Sequence, residues 1–69
     1  MNKDELKKVI TDLLSKEGSM TSTEIRDKLI ESGYEFDMIT FREALAELVR
    51  EGKIKKEPNY ERKKFLFSS

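Results

Sequence analysis

The segment Thr40–Ile54, TFREALAELVREGKI, changes character near its end. Phe41, Leu45, Leu48 and Val49 recur at helical spacing and give it one apolar face. Arg42, Glu43, Glu47, Arg50 and Glu51 fill the other face. Gly52 follows at once, and glycine ends a helix readily because it enters the left-handed conformation without a Cβ clash. From Ile54 onward the helical period is gone. A helix halted by glycine and followed by an extended run restricts the chain to a helical body with a β-appendage.

The same grammar occurs twice earlier. Leu6, Val9, Ile10, Leu13 and Leu14 form a core-facing stripe that predicts a first helix over 3–16, ended by Gly18. Asn2 is its cap, and Met1 and Leu6 occupy the two positions of a hydrophobic staple. Thr21-x-x-Glu24 matches a capping box, with Met20 and Ile25 as the staple, and predicts a second helix over 22–32 that stops at Gly33. Its inward residues are Ile25, Leu29 and Ile30. Asp37 caps a third helix over 38–51, with Phe36 and Phe41 as its staple. The hairpin is expected over 53–67, with strands Lys53–Glu57 and Lys63–Phe67 around the turn Pro58–Arg62. Ile54, Phe65 and Phe67 are its inward anchors. The expected fold is mainly α with a small β-hairpin, in one domain over 1–69. The sheet has two strands, or three if Ser19 and Met20 join it.

The chain has neither cysteine nor histidine, which removes disulfides, thiolate chemistry and the usual zinc ligands. No Gly-rich phosphate loop, calcium-loop spacing or metal-ligand cluster is present, and the carboxylates are spread along solvent faces. No catalytic residue, metal or cofactor is therefore expected. Charged residues make up 41% and hydrophobic ones 36%, so the core is thin, worth roughly 3–5 kcal/mol of net stability in a chain of this size. The longest apolar runs are Ala44–Ala46 and Phe65–Phe67, far short of a membrane span. MNKDELKK alternates charge and leads straight into an amphipathic helix, unlike a secretory signal. A cytoplasmic location follows, at the nucleoid if the source is prokaryotic.

The formal net charge of zero conceals a split. Residues 1–52 carry eight Lys/Arg against twelve Asp/Glu, net −4, and residues 53–69 carry six against two, net +4. A polyanion would meet the C-terminal quarter.

A helix ending Leu-x-x-Leu-Val-x-x-Gly-x-Ile (Leu45, Leu48, Val49, Gly52 and Ile54), with a basic extended segment behind it, resembles the third helix and wing of the winged-helix domains. The likeness covers essentially the whole chain. It implies a three-helix bundle with a C-terminal wing, binding double-stranded DNA as a small transcriptional regulator or a replication- or chromosome-associated factor. The third helix would enter the major groove and the wing would lie on the backbone or in the minor groove. Carried over residue by residue, Thr40 and Arg42 become base readers. Ser22 and Thr23, at the start of the second helix, become phosphate contacts. Lys53, Lys55, Lys56, Arg62, Lys63 and Lys64 supply further phosphate contacts, and Tyr60 enters a groove from the wing tip. Homodimers occur among such regulators, and the sequence leaves that state open.

The third helix carries Asp37, Glu43, Glu47 and Glu51 against Arg42 and Arg50, so the wing is expected to lead the contact. The same acidic face supports a second reading, a protein-interaction module meeting a basic partner through that helix. Plainer roles stand beside each site residue. The wing lysines also suit protection of an exposed strand edge, and Tyr60 suits packing over its own turn. Tyr34 and Phe36 suit covering the core, Met20 and Met38 suit filling its edge, and Glu47 suits a surface pair with Arg50. The regular caps and the Lys/Glu-rich surface also fit a thermophilic or a designed chain.

Overall fold

Each helix begins where the sequence supplies a side chain for its free amides. In the computed structural model, which describes residues 1–69, α1 spans Lys3–Glu17, α2 Ser22–Glu31 and α3 Met38–Arg50. Asn2 Oδ1 accepts from the Glu5 amide at 2.8 Å, and Asp37 Oδ1 accepts from the Thr40 amide at 2.8 Å. The capping box of α2 is complete: Thr21 Oγ1 accepts from the Glu24 amide at 3.2 Å, and Glu24 Oε1 accepts from the Thr21 amide at 2.9 Å. The Phe36–Phe41 staple closes as a stacked pair with ring centroids 5.4 Å apart. The helix ends differ from expectation by one residue, the usual extent of terminal fraying.

Glycine closes the second and third helices in the same way. Beyond α2, Gly33 has φ +88° and the Tyr34 amide donates to the Leu29 carbonyl at 3.1 Å. Beyond α3, Gly52 has φ +73° and the Lys53 amide donates to the Leu48 carbonyl at 2.9 Å. These six-residue closures satisfy carbonyls that a helix end otherwise leaves free.

The hairpin comprises β1, Lys55–Asn59, and β2, Lys64–Ser68, antiparallel in the register Lys56↔Phe67 and Pro58↔Phe65. The expected first strand started two residues too early and placed Pro58 in the turn; Pro58 is instead paired within β1, and the loop is Tyr60–Lys63. The ladder explains how proline is tolerated there. The Phe67 amide and carbonyl both bond Met20, at 2.8 and 3.0 Å, so they point away from β1. Phe67↔Lys56 is then a non-hydrogen-bonded pair, and so is Phe65↔Pro58 two residues along. The nitrogen of Pro58 consequently faces the open edge, where no donor is needed. Met20 joins β2 by this single bridge and forms no third strand.

Twelve apolar residues make one core cluster: Leu6, Ile10 and Leu14 from α1, Ile25 and Leu29 from α2, Phe41, Ala44, Leu45 and Leu48 from α3, with Met20, Ile54 and Phe67. Thr21 is the one buried polar residue, and no buried side-chain polar atom lacks a partner. Two expected core residues lie outside. Ile30 is 57% exposed, because one residue beyond Leu29 turns it about 100° off the Ile25–Leu29 line. Phe65 is half exposed, although it shares a face with buried Phe67. It stands about 7 Å further toward the hairpin tip, past the cover of the helices. Ile54 is buried as expected but precedes β1. No helix is long and apolar enough to cross a membrane.

Candidate functional site

The charged residues of α3 are sorted by rotation around its axis. With Phe41, Ala44, Leu45 and Leu48 turned to the core, steps of about 100° put Glu47 and Glu51 on one flank. Met38, Arg42 and Val49 fall on the other, while Ile39, Glu43, Ala46 and Arg50 point outward.

The first flank lies against α1. Lys3 pairs with Glu47, while Lys7 Nζ lies 3.3 Å from Glu47 Oε1 and 2.9 Å from Glu51 Oε1. These hydrogen bonds hold the Glu47 and Glu51 carboxyls below the usual carboxylate range, through Lys3 and Lys7 respectively. The same bonds raise Lys3 and Lys7 above the ordinary lysine value. Glu47 therefore pairs across helices and not with Arg50. Lys53, near Glu51 at 3.9 Å, borders a groove with Asp4, Lys7 and Asp12 on this side.

The second flank faces the start of α2 and the hairpin. Three shallow grooves converge on Ser22, where these elements and α3 meet. Their linings bring together Thr23 and Arg26 from α2, Arg42 from α3, and Lys56 and Lys64 from the hairpin, and include no carboxylate. Arg42, Lys56 and Lys64 have no ion-pair partner, whereas Arg26 lies 3.0 Å from Asp27. The Lys56 ammonium sits 4.4 Å above the Phe65 ring. At the helix start the Ser22 and Thr23 amides lie in the first turn, where intrahelical acceptors are lacking. Cations, free amides and two hydroxyls thus edge one concave surface, a chemistry suited to phosphate groups.

The other expected site residues are dispersed. Thr40 stands about 200° round the axis from Arg42, and its hydroxyl donates to Asp37 Oδ2 at 2.9 Å, so the two do not share a face. The Asp37 carboxyl is correspondingly held low, first by the Thr40 amide and then by this hydroxyl. Lys55 and Lys64 both alternate to the side of the hairpin opposite Lys56, but Lys64 still borders one of the grooves and Lys55 borders none. Arg62 is engaged by Glu24 Oε1 at 3.3 Å. That contact adds to the Thr21 amide bond in lowering the Glu24 carboxyl. Lys63 closes the loop with φ +53°, and Tyr60 at the tip is 85% exposed. Arg26, Phe65 and Ile39 belong to the exposed surface of these elements but were not anticipated. Only Arg26 had a local signal, four residues beyond Ser22 and hence on the same side of α2. Comparison with protein-family models, curated proteins and solved structures gave no match to this chain.

Proposed function

We propose that the chain is a winged-helix protein that binds duplex DNA through the surface around Ser22, acting as a small transcriptional regulator or a replication- or chromosome-associated factor. One observation carries the reading: three elements converge on grooves edged by Arg26, Arg42, Lys56 and Lys64, with no carboxylate among the lining residues. The helix–helix–helix–hairpin order supports it. So does the diversion of Glu47 and Glu51 to Lys7, which leaves the outward face of α3 less acidic than its composition suggests.

In this reading Lys56 and Lys64 neutralise phosphates from the wing, and Ser22 and Thr23 hold one at the start of α2. Arg42 reaches a base edge and is suited to guanine, which offers two acceptors in the major groove. Tyr60 extends from the wing tip, while Thr40 serves as part of the α3 cap. The alternative, a protein module using the acidic face of α3, has less to work with, since Glu47 and Glu51 are already paired within the chain.

Titration into a fluorescent random-sequence duplex, followed by anisotropy at about 50 and 200 mM salt, tests the reading. Micromolar binding that weakens roughly tenfold across that range is expected for the two lysine–phosphate contacts. No binding at the lower salt would overturn it.

A further inference from the structure

Ile39 is the most exposed large apolar side chain of the helices, at 71%. It belongs to the first turn of α3 and contributes nothing to the core cluster. Helix propensity does not account for it either, because β-branched residues are only middling helix formers. One turn along α3 from it are Arg42, on the edge of the hairpin flank, and Glu43, with Ala46 and Arg50 further along the outward face. A protein interface would want a wider apolar patch with charge kept from its centre. A lone branched aliphatic one turn from an unpaired arginine matches a different surface. In the major groove each thymine displays a single methyl group beside the hydrogen-bonding edges of its neighbours.

Resting on the DNA-binding reading above, we infer that Ile39 is a specificity-determining residue that packs on the 5-methyl group of a thymine next to the base pair addressed by Arg42. Ile39 and Arg42 are three residues apart, a rise of about 4.5 Å along the helix, against about 3.4 Å per base step. The thymine is then one or two base pairs from the guanine that Arg42 contacts.

The test uses a duplex selected by the protein from a randomised library, with each thymine replaced in turn by uracil, which removes only the methyl. At one position beside a guanine the replacement should weaken the unmodified protein about three- to fivefold, the effect of exposing one methyl group. Ile39→Ala should bind the thymine duplex with the same loss and be indifferent to the replacement, while Ile39→Val should keep most of the discrimination. The side chain is exposed, so thermal melting of both variants should match the parent and exclude misfolding. Binding without a uracil penalty at any position, or an undiminished penalty in Ile39→Ala, would overturn the role of Ile39 and leave the DNA-binding reading intact. Absence of duplex binding at low salt would overturn both.

Discussion

On the α1 side of α3, Glu47 and Glu51 meet Lys3 and Lys7 in a network that spans about forty residues of sequence. On the hairpin side, Arg42 borders the same groove as Lys56, and neither has a carboxylate partner. The two flanks of one helix thus spend their charges differently. One is occupied in joining helices, and the other is left facing solvent. A formal net charge of zero says nothing of this, because the balance holds for the chain and not for any one face.

The largest expected effect breaks the comparison from the hairpin side. The triple variant Arg42→Glu/Lys56→Glu/Lys64→Glu should lose more than about 100-fold in duplex affinity at low salt, with its melting temperature little changed. Anisotropy together with circular dichroism separates the two quantities. An unaltered affinity would move the contact elsewhere on the molecule.

Gly52→Ala acts at the hinge between α3 and the hairpin. Apart from its own chain neighbours, nothing lies within 4 Å of the position an added Cβ would take, so the cost is conformational, from φ +73°. It should be about 1–2 kcal/mol in urea unfolding, a large share of the stability of so small a domain. A loss of only a few tenths would mean that the closing turn relaxes without strain.

Breaking the α1 flank should have a smaller and different consequence. Lys3→Glu/Lys7→Glu should lower the urea midpoint and leave duplex affinity unaltered, since it sets new carboxylates beside the half-buried Glu47 and its neighbour Glu51. This network also fixes the sign of the pH response. The folded-state carboxyls of Glu47 and Glu51 are held below their ordinary value of 4.5. Their contribution is therefore present above that value and is lost as the pH falls through the folded pKa. Lys3 and Lys7, held above 10.5, contribute below that value and lose it as the pH rises through theirs. Urea midpoints should accordingly hold steady through neutral pH and fall at both extremes. The acid fall should be shallower in the double variant.

The smallest effect sharpens the contrast between neighbours on α3. Thr40→Ala should change duplex affinity less than about twofold, while Arg42→Ala should cost about tenfold, as expected for one lost bidentate base contact. Equal losses measured by anisotropy would show that the side assigned to each residue is wrong.

What was legible in the sequence is what neighbouring residues decide. Asn2, Thr21 and Asp37 announce three helix starts, Gly18, Gly33 and Gly52 three ends, and all act within a few residues of their own positions. Spacing along α3 allows Glu47 a pair with nearby Arg50, but its actual partners, Lys3 and Lys7, depend on how α1 crosses α3. Phe65 failed as a core residue for a related reason: alternation gives the face a residue takes but not where the helices stop covering it. Propensity alone puts Pro58 in a turn, whereas the bridge between Met20 and Phe67 decides which way its nitrogen points. Of the candidate site, the chemistry of Ser22, Arg42, Lys56 and Lys64 was readable, but their convergence was not. Nor was the separation of Thr40, Lys53 and Lys55 from them.

Pro58 has a consequence beyond its own strand. A two-stranded ribbon with one flank open invites a second chain to continue the ladder, the route by which small sheets grow into fibrils. At the outward-facing positions of β1, Lys56 has an amide to offer but Pro58 has none. An incoming strand would meet one donor and then a gap, beside like-charged side chains. A single imino acid thus lets the hairpin remain exposed to solvent without serving as a template for its own copies.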